Sequence, residues 1–199
     1  MPSPVAVLLI TGSPRAGATS TAVLQTVSET VEAGAVTARM YFGTGGLPHF
    51  NPDDDFEPLH PAVAELRTLI ARADALLFST PEYAGDLPGS FKNLLDWTVG
   101  GSEIVAKPTG WINTAAPGRA EGAYAALRTV LAYTGADIVE DACVRIPVAR
   151  SAIDTETGTI TDPVARAALA KAVETLVRHT RSTPLPAPED RQPPRTSPW

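Results

Sequence analysis

Short continuous apolar runs alternate along the chain with longer stretches in which apolar residues recur every three or four positions. The first pattern, rich in β-branched residues, marks strands buried on both faces, and the second marks the single buried stripe of a helix. Strands are therefore predicted at Val5 to Ile10, Val36 to Phe42, Ala75 to Ser79, Thr109 to Thr114 and between Ile138 and Ile146. A first helix is predicted from Thr19 to Ala33, with Val23, Leu24, Val27 and Val31 on its stripe and Gly34 as a left-handed stop. Further helices are predicted from Pro61 to Ala73, from Gly89 to about Val99 and from Glu121 to Tyr133. Asp162 before Pro163 opens a last one, striped by Val164, Leu169, Val173, Leu176 and Val177.

This alternation of strand and helix predicts an α/β fold, an open parallel sheet with helices on both faces. Five strands suit the order 2-1-3-4-5, in which crossovers diverge after the first and third strands and open a crevice at their carboxyl ends. The loops that reach that crevice run from Thr11 to Thr19 and from Thr80 to Gly89. A chain of 199 residues suits one such domain, assigned to residues 1–181. The Pro-rich segment 182–199 is too polar to fold alone and is expected to be disordered or to lie against a partner chain.

The first loop, Thr11-Gly12-Ser13-Pro14-Arg15-Ala16-Gly17-Ala18-Thr19-Ser20, has the makings of an anion cradle. Glycines allow close backbone approach, amides at a helix start point outward, and Ser13, Thr19 and Ser20 offer hydroxyls beside the Arg15 guanidinium. A nucleoside triphosphate is poorly served, because Ala18 stands where a P-loop needs its lysine. With no G-x-G-x-x-G for a pyrophosphate, a single terminal phosphate is the better match.

The second loop reads Thr80-Pro81-Glu82-Tyr83-Ala84-Gly85-Asp86-Leu87-Pro88-Gly89 and continues through Lys92-Asn93 to Asp96-Trp97. Together with Gly12-Ser13-Pro14-Arg15 it resembles the NADPH-dependent FMN reductase family, whose signature pairs G-S-x-R with T-P-E-Y-N-G-S-x-P-G-x-x-K-N-x-x-D-W. The resemblance implies a flavodoxin-like three-layer sandwich that binds FMN and takes hydride from NADPH or NADH. It further implies that Ser13, Arg15, Thr19 and Ser20 hold the FMN phosphate, and that Pro81, Glu82, Tyr83, Ala84 and Gly85 shape the bed of the isoalloxazine, with the Tyr83 ring against it. The loop from Asn113 to Gly122 resembles the family's third, S-x-G-x-x-G-G; Ala116 belongs to it, and amides of Gly118 and Arg119 are expected at the pyrimidine end. The departures are Ala84 for the usual asparagine, Asp86 for a serine and Ala18 for a loop serine.

Family likeness also implies a homodimer or homotetramer, with Phe91 to Val99 near the contact and Trp97 as a candidate interface aromatic. The terminal acceptor is left open among a flavin, a quinone and other small molecules. A flavodoxin-type electron carrier and a flavin-free interaction module stand as alternatives. Composition adds exclusions: a net charge of -6 argues against nucleic acid or an anionic membrane surface as partner. The lone Cys143 has no partner for a disulfide, and His49, His60 and His179 stand in unrelated contexts and are assigned no chemistry. No apolar run reaches the roughly 18 residues a membrane span needs, and Met1 to Pro4 leads into Val5 to Ile10 without a secretory-type pattern, so the expected location is cytoplasmic.

Overall fold

Each of the five apolar runs forms a strand in the computed structural model, which describes residues 3–15, 17–31, 34–187 and 190–191. The strands are β1 (Val5–Thr11), β2 (Val36–Tyr41), β3 (Ala75–Ser79), β4 (Pro108–Asn113) and β5 (Asp137–Arg145). All neighbours pair in parallel in the order β2-β1-β3-β4-β5, as expected from the alternation of elements. The helices are α1 (Thr19–Thr30), α2 (Pro61–Arg72), α3 (Gly89–Asp96), α4 (Glu121–Tyr133) and α5 (Pro163–Ser182).

Alternate residues of each central strand point to opposite layers. Leu8, Ile10, Leu76, Phe78 and Trp111 pack with α2, α3 and α4, while Val7, Leu9, Leu77 and Ile112 pack with α1 and α5. That two-sided burial is why the strands read as unbroken apolar runs rather than as an alternation.

Two helix ends differ from expectation by more than one residue. α1 stops at Thr30, where the Thr30 hydroxyl donates back to Thr26 O and Val31 is already extended, so the stop comes before Gly34. Ala33, its expected last residue, lies outside the described residues. α3 ends at Asp96 rather than Val99, in a turn closed by the Thr98 hydroxyl on Leu95 O. α5 extends one residue into the segment assigned to the tail, of which residues 188–189 and 192–199 lie outside the described residues. Among the described residues no helix is long and apolar enough to cross a membrane.

The long connection from Phe42 to His60 is fastened by residues of the second motif. Asn93 accepts from Phe50 N–H at 2.7 Å and donates to Pro48 O at 2.8 Å, and the Trp97 indole N–H donates to the same carbonyl at 2.8 Å. Phe50 stands edge-on to the Trp97 ring. Trp97 is therefore a core residue, 1% exposed, and not the interface aromatic expected of it. Farther along, Arg67 binds Asp55 Oδ1 at 2.6 Å and Trp97 O at 2.9 Å, so the same anchor closes both ends of the connection.

Candidate active site

The ends of β1 and β3 bring the first two loops together at the carboxyl edge of the sheet. Gly12 N–H donates to Ser79 O at 2.8 Å, and a Cβ on Gly12 would lie 2.2 Å from Thr80 Oγ1, so a side chain there would drive the loops apart. Ser13 is buried; its N–H donates to Thr11 Oγ1 at 3.3 Å, and its hydroxyl accepts from Arg15 N–H at 3.2 Å. Thr11 Oγ1 also lies 3.5 Å from Ser20 Oγ and 3.1 Å from Thr21 Oγ1, a cluster of hydroxyls at the head of α1. Ala18 occupies the N-cap and provides no side-chain hydrogen bond. The first turn thus lacks a side-chain cap and is suited to receive an anion.

The second loop is fixed from below by Tyr124 of α4. Its hydroxyl accepts from Thr80 N–H at 3.3 Å and lies 2.7 Å from Ile112 O and 3.1 Å from Thr80 O as possible acceptors of its proton. Burial pushes the phenol up to about 12, so it stays protonated and continues to donate. Tyr83 and Asp86 then exchange backbone bonds of 3.0 and 3.1 Å around Ala84 and Gly85, whose φ angles are +52° and +80°. Two successive positive φ values define a type I′ hairpin turn, the site where Asn-Gly is the preferred pair. Asp86 turns its carboxylate onto Leu87 N–H at 2.6 Å.

Glu82 reaches across to α4 and accepts from Ala123 N–H at 3.1 Å. The N-cap of that helix, Ala120, has a φ of +58° and no side-chain cap, so Glu82 supplies from another loop the carboxylate that α4 lacks. The contact is close: a Cβ on Gly122 would meet Gly85 O at 2.0 Å.

Arg145, at the end of β5, organises the third loop. Its Nη1 donates to the carbonyls of Ala115, Ala116 and Arg119 at 3.1, 2.8 and 2.9 Å, and its Nη2 binds Glu121 at 2.6 Å. Arg119 N–H is committed to Ala116 O at 3.1 Å within the loop's own turn, so it does not serve as the free amide expected of it.

These loops enclose a cleft of about 560 Å³, a size usual for a small-molecule or cofactor site. Ser13, Arg15, Thr19, Ser20, Pro81, Glu82, Tyr83, Ala116 and Arg119 all border it, whereas Ala84, Gly85 and Gly118 do not. Ala84 and Gly85 belong to the hairpin's turn, and Gly118, with a φ of +76°, to the bend of the third loop. Sequence reasoning missed Val148 and Arg150, which also border the cleft, and Arg145, which orders it. A lone arginine beyond a buried strand was the sole signal for either cation.

The residues present fit FMN: a hydroxyl-lined, uncapped helix start for the phosphate and the half-exposed Tyr83 ring for the isoalloxazine. The family model for NADPH-dependent FMN reductase matches residues 5–150, a span that contains all three loops. The chain belongs to this family. It is accordingly an NAD(P)H-dependent oxidoreductase that uses FMN. The reductase is 32% identical over 180 residues to an NAD(P)H-dependent FMN reductase of Pseudomonas aeruginosa, covering 88% of this chain and 95% of that protein. It is 27% identical over 161 residues to a quinone reductase of Escherichia coli, covering 78% and 85% of the two chains. Among solved structures, the flavoenzyme NAD(P)H:(acceptor) oxidoreductase FerB of Paracoccus denitrificans superposes with a TM-score of 0.72 at 26% identity, covering 89% of this chain and 98% of that one.

Proposed function

We propose that the reductase holds the FMN phosphate with Ser13, Arg15, Thr19 and Ser20, seats the isoalloxazine along Pro81, Glu82, Tyr83 and Ala116, and delivers reducing equivalents to a quinone or a free flavin. The observation that carries this reading is the convergence of three loops, distant in sequence, on one cleft lined by arginines, by the hydroxyl residues Ser13, Thr19 and Ser20, and by Tyr83. FMN held there would supply the redox chemistry that links the pyridine nucleotide to the acceptor.

The residues of the chain bind and orient. Arg15 neutralises phosphate charge, and the first-turn amides of α1 direct donors at its oxygens. Tyr83 offers a face for stacking, and its hairpin is held rigid by Glu82 and Tyr124 so that the ring stays in register with the cleft. No acid or base is required of the protein for hydride transfer, so its work is positioning.

The same reading includes one FMN-binding domain over residues 1–181, a cytoplasmic location and assembly into a homodimer or homotetramer. Exposed Phe42, Phe56 and Val99 support the last of these as apolar surface available to a second copy.

Titration of the purified chain with FMN, followed by anaerobic addition of NADPH or NADH and then of a benzoquinone, tests the whole sequence. Stoichiometric binding, bleaching of bound flavin and its reoxidation by quinone are the expected results. Binding without bleaching would make the protein an electron carrier, and no binding would leave a flavin-free module.

A further inference from the structure

The connection after β5 carries a cation into the cleft that the family signature does not contain. It first runs beside the third loop, with Ile146 N–H donating to Asn113 O at 2.9 Å and Val148 N–H to Thr114 O at 3.1 Å. It turns through the short 3-10 segment Arg150–Ala152 and then fastens to α1, where Ile160 N–H donates to Thr26 Oγ1 at 2.8 Å and Gln25 donates to Thr157 O at 3.2 Å. The connection thus leaves the carboxyl edge of the sheet beside the third loop and ends against the side of α1. Between the two, Arg150 borders the same cleft as Ser13, Arg15, Ala18 and Thr19.

The four arginines of this neighbourhood differ in what occupies them. Arg145 is saturated by three carbonyls and Glu121. Arg15, Arg119 and Arg150 have no carboxylate partner among the described residues; of these Arg119 stands on the third loop, and Arg150 on the connection that goes on to fasten to α1. A phosphate monoester approaches two negative charges near neutral pH, more than one guanidinium balances. A chain of net charge -6 repels such a dianion unless cations are gathered at the point of binding.

We propose that Arg150 is a second phosphate-binding residue, closing on the FMN phosphate from the β5–α5 connection while Arg15 does so from the β1–α1 loop. This rests on the assignment of the cleft to FMN. Arg150 then sets the preference for the phosphorylated flavin over riboflavin, and it ties the connection to cofactor occupancy.

FMN and riboflavin differ only by the phosphate, so both are titrated by fluorescence quenching into the full chain and into Arg150→Ala and Arg150→Lys. The expected result is a Kd for FMN raised about tenfold or more in Arg150→Ala, with riboflavin binding unchanged. Added salt shrinks the difference, and Arg150→Lys recovers part of it. An unchanged Kd for FMN overturns the proposal, as does an equal loss for both flavins, which would assign Arg150 to packing of the loop. A higher KM for NADPH with unchanged flavin affinity would move the guanidinium to the pyridine nucleotide and also overturn it. If the unaltered chain binds neither flavin, the assignment of the cleft itself falls, a result distinct from each of these.

Discussion

The first loop and the second motif carry the same family signature, yet their polar groups are spent differently. From Thr80 to Trp97 nearly every distinctive side chain is already occupied by the protein: Glu82 caps α4, Asp86 binds Leu87 N–H, Asn93 and Trp97 grip Pro48. In the first loop, Arg15 finds no carboxylate partner among the described residues and the head of α1 lacks a side-chain cap. A shared motif therefore mixes two kinds of residue. Tyr83 apart, whose ring is proposed to stack on the flavin, those of the second stretch build the wall, and those of the first carry the proposed ligand contacts. The separation is testable, because wall residues govern stability whereas ligand residues govern affinity.

The largest effect is expected at Trp97. Replacing it with alanine removes a fully buried ring and the bond to Pro48, a loss of about 3–5 kcal/mol by analogy with other buried aromatics. Denaturant unfolding of the flavin-free chain measures it. A small change there would mean that the connection from Phe42 to His60 stands without its anchor. Arg15→Ala comes next and works the other way: Kd for FMN rises about 10- to 100-fold, while the melting temperature of the flavin-free chain holds. A drop in that temperature would return Arg15 to the scaffold.

Glu82 tests the boundary, since it borders the cleft and also caps α4. Glu82→Ala is expected to lower stability by about 1 kcal/mol, the usual worth of an N-terminal cap, with Glu82→Gln retaining part of it. Flavin affinity falls by less than in Arg15→Ala. Should affinity collapse while stability is unaltered, Glu82 would belong with Arg15, and the division between the two stretches would be drawn in the wrong place.

The layered fold was legible because burial on both faces writes itself into each strand as an apolar run, and β3 and α4 match their expected limits. The loop proposed to hold the phosphate stood out for a similar reason: glycine, hydroxyl and cation lie within one short segment. Trp97 was not, because an aromatic residue on a helix reads alike whether it faces a partner or the core. Arg145 and Arg150 were not either. Arg145 contacts loop carbonyls some 26 to 30 residues away, and Arg150 borders a cleft it shares with the distant first loop, separations along the chain at which local pattern is silent.

The smallest effect concerns Ala84, where the sequence departs from an asparagine. Taken as a missing flavin contact, the change would weaken binding. The hairpin points instead to backbone conformation. Ala84 sits at a φ of +52°, next to Gly85 at +80°, and neither residue borders the cleft. Left-handed backbone costs an alanine about 1 kcal/mol or more, a cost that asparagine largely escapes. Ala84→Asn is thus expected to stabilise the flavin-free chain by roughly 0.5–1 kcal/mol, or about 1–4 °C in melting temperature for a chain of this size, and to leave Kd for FMN where it was. A tighter Kd at constant melting temperature would mean that the amide reaches the flavin after all, and the second stretch would then have lost a ligand residue at position 84.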